Sequence, residues 1–194
     1  MGLKVVAFLG SPRKRGNTEI LLEAALSGIR EKAGEISLFR LGELNIPPCR
    51  NCGGCARTGR CAFRDDDMQG IYEAIRAADR VVLASPIYFF SVSAQTKSMI
   101  DRCQAFWSEK YLLKRPIPPG PAGRKGLMLL VGAYKRDVSG LRCAETCVTS
   151  FFHSINISEH RTVGVLGPDA LGSMRDYPDR LAEAVEAGRR LADL

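Results

Sequence analysis

A chain of 194 residues with 45% hydrophobic and 25% charged residues fits one well-buried globular domain and excludes a disordered or low-complexity chain. Its apolar runs, such as Val81 to Ala84 and Leu127 to Val131, fall far short of a membrane span. The net charge of +7 is scattered in short groups, Arg13 to Arg15, Lys114-Arg115, Arg124-Lys125 and Lys135-Arg136, with no recognition helix or RNA-binding aromatic signature, so neither nucleic acid nor a membrane is an expected partner.

Residues 3–9 form an apolar, β-branched run ending at Gly10-Ser11-Pro12, the pattern of a central strand entering a loop. Asn17 is a good N-cap for the next helix, in which Leu21, Leu22, Ala25, Leu26 and Ile29 recur at helical spacing until Gly34 stops the pattern. A short second strand follows from about Glu35 to Leu41. Beyond a Pro- and Cys-rich loop, Met68, Ile71, Ile75 and Ala78 share one face and predict a helix. Val81 to Ala84 reads as a third strand, Ser93 to Phe106 as a helix, and the Pro/Gly segment Pro116 to Gly123 as a surface loop. A fourth strand is expected over Gly126 to Val131, a helix over Leu141 to Ile155, a fifth strand over Arg161 to Leu166, and a final helix over Tyr177 to Leu194. Strands alternating with amphipathic helices need both sheet faces covered. The expected fold class is therefore α/β, a single domain over 1–194 built on a doubly wound, five-stranded parallel sheet with right-handed crossovers.

The loop Gly10 to Thr18 presents backbone N–H groups at a helix start, the hydroxyls of Ser11 and Thr18, the amide of Asn17 and the cation of Arg13. That is a phosphate cradle, and it lacks the GK[ST] ending of a nucleoside triphosphatase loop. The plainer reading is an N-capped turn with exposed charges. At the carboxyl end of the third strand, Ser85 to Ser91 mixes aromatic rings with turn residues, so Pro86, Ile87, Tyr88 and Phe89 either lie along a flat ligand or pack a core. Tyr134, after the fourth strand, stands at the same end of the sheet, as a ligand contact or a rim aromatic.

Seven cysteines in a chain without a charged leader or cleavage site point to reduced thiols, metal ligation or redox work and to a cytoplasmic location. A myristoylation pattern also fails, because position 6 is Val. Cys49, Cys52, Cys55 and Cys61, in a cysteine-rich loop at 47–67, have C-x2-C-x2-C-x5-C spacing, which suits the separate corners of a [4Fe-4S] cluster. A zinc ion, which usually takes paired ligands across a longer spacer, and free or redox-active thiols are the alternatives. Asp65 to Asp67 read as acidic residues at a helix N-terminus, with Asp66 or Asp67 as cap.

Gly10 to Arg13 followed by Gly16-Asn17-Thr18, then Ala84 to Phe89, then Lys97 to Arg102, together resemble the NADPH-dependent FMN reductase family over nearly the whole chain. The resemblance implies flavodoxin-like strand order 2-1-3-4-5, with the loops after strands one and three meeting at the topological switch point. It also implies FMN phosphate at Ser11, Arg13, Asn17 and Thr18, and the flavin ring near Pro86, Tyr88, Phe89 and Ser91. Together with Asp65 to Met68, the cysteine loop resembles the iron-sulfur flavoprotein branch of that family. This implies an FMN-dependent electron-transfer oxidoreductase whose chemistry belongs to its cofactors, with no catalytic side chain. A ferredoxin-type donor and oxygen, peroxide or quinone as acceptor are further implications, as is a homodimer or homotetramer. The second enzyme reading is a cluster-free FMN or quinone reductase driven by NAD(P)H, and a third is a flavin or thiol redox sensor.

Fewer signals attach to the remaining residues. Cys103 is expected to pack beside Ile100 and Phe106, and Cys143 and Cys147, at i and i+4 on a helix, are expected to be buried. His153 and His160 belong to no metal-ligand spacing, and Trp107 and Tyr111 are candidates for a dimer contact.

Overall fold

The computed structural model describes residues 2–32, 35–120 and 123–193. Gly34, expected to stop the first helix, lies outside the described residues, as do Pro121 and Ala122 of the expected surface loop and Leu194 at the end of the final helix. The elements in chain order begin with β1 (Lys4–Leu9), α1 (Asn17–Arg30) and β2 (Glu35–Arg40), then α2 (Gly54–Thr58), α3 (Met68–Ala77), β3 (Arg80–Tyr88) and β4 (Ser91–Val92). There follow α4 (Ala94–Arg102), α5 (Gln104–Trp107), β5 (Lys125–Gly132), α6 (Ser139–Ser154), β6 (Glu159–Leu166) and α7 (Pro178–Leu191).

Five strands pair in parallel in the order β2-β1-β3-β5-β6, the predicted 2-1-3-4-5 arrangement once the short β4 is set aside. Register aligns Val6 with Ser37 and Val81, Leu83 with Met128, and Met128 with Thr162. Because side chains alternate along a strand, the sheet feeds two cores. Val6, Phe8, Val81, Leu83, Met128 and Leu130 pack on one face with Ile71, Ile75, Met99 and Phe152. On the other face Val5, Ala7, Val82, Leu127 and Val163 meet Leu21, Leu22 and Leu26 of α1 and Ala184 and Leu191 of α7. The two helices on that face touch backbone to backbone: a Cβ on Gly28 would sit 2.1 Å from the Val185 carbonyl oxygen, and one on Gly188 2.0 Å from that of Ala25.

Two buried arginines finish helix ends, where the last carbonyls lack intrahelical donors. Arg124 donates to the carbonyls of Ile75 and Ala78 at the end of α3, and burial pushes its pKa down to about 10. Arg80 donates to the carbonyls of Leu191 and Asp193 at the end of α7.

The structure corrects several local expectations. Asn17 is not the cap of α1: Gly16 occupies that position, and the Asn17 amide is turned toward residues 170–174. The segment Ser85 to Ser91 is no simple loop. β3 continues to Tyr88, and β4 returns antiparallel through a two-residue turn, with Tyr88 opposite Ser91. The helix expected over Ser93 to Phe106 is broken at Cys103, whose N–H is shared between the carbonyls of Met99 and Ile100. Cys103 is buried as expected, whereas Cys143 is exposed and Cys147 half-buried. No described helix is long and apolar enough to cross a membrane.

Candidate functional site

Three loops follow β1, β3 and β5 at the carboxyl edge of the sheet, and a buried hydroxyl cluster ties the first two together. The Gly10 N–H donates to the Ala84 carbonyl at 2.8 Å, and the Ser93 hydroxyl donates to the Gly10 carbonyl at 2.7 Å. Ser93 also caps α4, accepting from the Thr96 N–H at 3.3 Å, and its own N–H donates to the Ser85 hydroxyl at 3.0 Å. Ser85, Ser93 and Thr96 are completely buried. Interior hydroxyls persist only when satisfied by one another and by backbone, so this cluster holds the β1 loop against the start of α4.

In the β1 loop the Ser11 hydroxyl accepts from the Arg13 N–H at 3.2 Å, and the exposed Arg13 guanidinium donates to the Asp169 carbonyl at 3.4 Å. Asn17 donates from its side chain to the Ala170 carbonyl at 3.0 Å and accepts from the Met174 N–H at 3.0 Å, which joins this loop to the segment after β6. Thr18 is buried. The first helical bond of α1 is Ile20 to Gly16, so the N–H groups of Asn17, Thr18 and Glu19 have no intrahelical acceptor. Burial works against the charge of Glu19, but its 2.6 Å contact with Arg40 outweighs this and holds the carboxyl below its ordinary range.

A cavity of about 480 Å³ opens where β3, β5 and β6 end, with Ile87, Gly132 and Leu166 as its floor and Phe89, Phe90 and Tyr134 at its mouth. That volume lies within the ordinary range for small-ligand pockets. Both residues of the β3–β4 turn, Phe89 at φ +46° and Phe90 at φ +60°, are left-handed. Such a tight turn favours Asn-Gly, and a bulky residue held there is strained, a feature that gathers at binding sites. Phe89 is fully exposed, so no packing within the chain compensates for its strain. Of the predicted ring contacts, Ile87, Phe89 and Tyr134 line this cavity; Pro86 is buried in β3, and Tyr88 and Ser91 pair across the hairpin outside the lining. The lining also includes Phe90, the neighbour of Phe89 in the hairpin turn, and Gly132, Asp137, Gly140 and Leu166, which the closing of the sheet brings beside that turn.

The cysteine loop emerges at the same edge beyond β2. It is closed at its base by two hydrogen bonds, from the Asn45 N–H to the Asp67 carboxylate at 2.6 Å and from the Asp67 N–H to the Asn45 carbonyl at 3.2 Å. Gly53 and Gly59, at φ +71° and +72°, bracket the one-turn α2 and let the chain reverse without steric strain. Cys49, Cys52, Cys55 and Cys61 all line one cavity of about 140 Å³. The buried Ser108 hydroxyl donates to the Cys55 sulfur at 3.5 Å.

Among the described residues, no three Cys, His, Asp or Glu donors gather tightly enough to chelate one metal ion. Zinc needs its sulfurs about 2.3 Å from a single point, whereas an iron-sulfur cube spreads four cysteines over separate irons. Four cysteine sulfurs lining one cavity are a donor set of the kind an iron-sulfur cluster takes.

Asp66 and Asp67 divide the roles expected of a cap. Asp67 occupies the N-cap position of α3 without a side-chain cap bond, and Asp66 accepts from the Met68 N–H at 3.1 Å. The second Asp66 oxygen pairs with Arg102 at 2.7 Å, both side chains being almost wholly inaccessible. Arg102 also donates to the carbonyls of Pro47 at 3.0 Å and Phe63 at 3.4 Å, on opposite arms of the cysteine loop.

The model of the NADPH-dependent FMN reductase family matches residues 3–159. An iron-sulfur flavoprotein of Archaeoglobus fulgidus is 40% identical over 100 residues, 52% of this chain and 45% of the relative. Another from the same organism is 32% identical over 148 residues, 76% of this chain and 70% of the relative. Several of these matches span only about half the relative's length, between 45% and 60%. In fold, the chain resembles an NAD(P)H:quinone oxidoreductase from Methanothermobacter marburgensis at a TM-score of 0.77 and 17% identity, covering 100% of this chain and 99% of that one. The family match over most of the chain and the iron-sulfur flavoprotein relative covered over more than two thirds of its length make this chain a member of the NADPH-dependent FMN reductase family, in its iron-sulfur flavoprotein branch.

Proposed function

We propose that this chain is a flavin-dependent oxidoreductase that moves electrons between a [4Fe-4S] cluster and FMN, accepting them from a ferredoxin-type protein and passing them to oxygen, peroxide or a quinone. The observation that carries the reading is the pairing of two cavities at one sheet edge, one lined by all four loop cysteines and one of flavin size behind a strained aromatic turn. When bound, the cluster supplies single electrons and FMN permits the change between one- and two-electron chemistry.

Within this reading Ser11, Arg13 and Thr18 hold the FMN phosphate together with the free N–H groups that open α1. Asn17 contributes through its backbone, since its side chain is committed to Ala170 and Met174. Ile87, Phe89 and Tyr134 take the ring, with Pro86, Tyr88 and Ser91 shaping the hairpin that carries it. Cys49, Cys52, Cys55 and Cys61 hold the cluster. Arg57, Arg60 and Arg64 are exposed on the cysteine loop and have no ion-pair partner among the described residues. A positive rim around the cluster cavity suits an acidic protein donor. The exposed Phe89, Phe90, Trp107 and Tyr111 suit a homodimer or homotetramer.

Anaerobic purification followed by an absorption spectrum, iron and sulfide assays and FMN quantification on one sample tests the proposal. About four irons and four sulfides with one FMN per chain support it. FMN without iron, with flavin bleached directly by NAD(P)H, replaces it with a cluster-free reductase. Failure to bind FMN on reconstitution overturns both.

A further inference from the structure

Arg102 closes α4, and its side chain is only 2% exposed. A buried guanidinium presents five N–H donors that need acceptors. Nη1 reaches Asp66 and the Pro47 carbonyl, and Nη2 reaches the Phe63 carbonyl. Nε is buried with no hydrogen-bond partner among the described residues. The same side chain lines the cavity of the four cysteines, Cys61 lies beside its guanidinium, and the Tyr72 hydroxyl donates to the Arg102 backbone carbonyl at 2.8 Å.

An unmet buried donor on a side chain that lines a cavity of thiols calls for an acceptor, and a metal-bound cysteine sulfur would supply one. A neutral thiol accepts weakly; a metal-bound cysteine sulfur carries negative charge and accepts well. We propose that Arg102 is a positioning residue for the cluster, directing its Nε–H at the sulfur of Cys61 and raising the reduction potential, while Asp66 fixes its orientation and moderates its charge. Hydrogen bonds and nearby cations favour the reduced cluster because reduction adds negative charge.

α4 links this group to the flavin loops. Its first turn carries Thr96, in the hydroxyl cluster with Gly10 and Ser85, and its last residue is Arg102. About 9 Å of helix separates Thr96 from Arg102, so one rigid rod sets the cysteine cavity relative to the flavin site.

The inference rests on the cluster reading, and the test separates the two. Wild type, Arg102→Lys and Asp66→Asn are purified and reconstituted anaerobically, assayed for iron and sulfide, and titrated for cluster potential by electron paramagnetic resonance. Lys keeps the charge but lacks the Nε–H and the fork, so Arg102→Lys is expected to retain iron and shift the potential in the reducing direction by about 59 mV, a tenfold change for one electron. Asp66→Asn leaves Arg102 uncompensated and is expected to shift it in the opposite direction. Unchanged potentials with full iron overturn the inference and leave the cluster reading standing. Loss of iron from both variants reduces Arg102 to a structural clamp and also overturns it. A wild-type chain that takes up no iron overturns the reading beneath it.

Discussion

Replacing Gly10 with Ala tests whether the hydroxyl cluster under the first two loops sets both stability and FMN affinity. The added Cβ would lie 1.8 Å from Thr96 Oγ1, 3.2 Å from the Ala84 carbonyl oxygen and 3.2 Å from Ser93 Oγ. Thr96 is completely buried, and its hydroxyl contacts those of Ser93 at 3.0 Å and Ser85 at 3.4 Å, so rotating away leaves buried hydroxyls unpaired. Overpacking costs about 1–3 kcal/mol, and an unsatisfied hydroxyl about 1–3 kcal/mol more. A loss of about 3 kcal/mol corresponds to a fall of about 6–12 °C in Tm for a chain of this size. Displacing the loop that carries Ser11 and Arg13 is expected to weaken FMN binding about tenfold, about 1.4 kcal/mol. Urea unfolding of the FMN-free protein gives the first quantity and quenching of flavin fluorescence the second. Thr96→Ala removes the atom the new Cβ strikes, so the double variant should be more stable than Gly10→Ala alone. A single variant with wild-type midpoint and FMN affinity, or a double variant with additive losses, would refute the steric argument.

Phe89→Gly is expected to raise stability by about 0.5–1 kcal/mol, since the left-handed conformation is freed and an exposed ring gives up no packing, while FMN affinity falls; calorimetry and flavin titration on one preparation check both signs. Burial holds the Cys103 thiol well above its ordinary 9.0. Its contribution is therefore complete below pH 9 and declines at higher pH as the unfolded chain ionises first, by up to about 1.4 kcal/mol per pH unit. Cys103→Ala should flatten that alkaline decline in urea midpoints measured from pH 8 upward, and an unchanged slope contradicts the assignment. Reduction by an acidic ferredoxin should slow as ionic strength rises past about 0.15 M, where the Debye length is about 8 Å. Replacing Arg57, Arg60 and Arg64 together with Gln should remove that salt dependence, and salt-independent reduction of the wild type would count against docking at this rim.

The five parallel strands were legible because each is a short apolar run followed by a helix with a clear apolar stripe, while their order 2-1-3-4-5 came from the family resemblance and is the order the sheet shows. The cysteine spacing was legible for a related reason: ligands within 13 positions of one another must share a loop whatever the rest of the chain does. Helix ends were less so. Asn17 has the chemistry of a cap, but Ala170 and Met174, more than 150 positions away, recruit its side chain.

Local pattern thus determined the alternating strands and helices, the polar loop after the first strand and the cysteine motif, since periodicity and turn chemistry act over a few residues. Only the tertiary structure decided that Ser93 would bond Gly10 across 83 positions, and that Arg102 would meet Asp66 across 36. It also decided that two phenylalanines would be held in left-handed conformations at a cavity mouth. Those features depend on which strand ends lie side by side after the sheet closes. Buried polar groups take whatever partner that packing delivers, so their pairing has no signature in neighbouring residues.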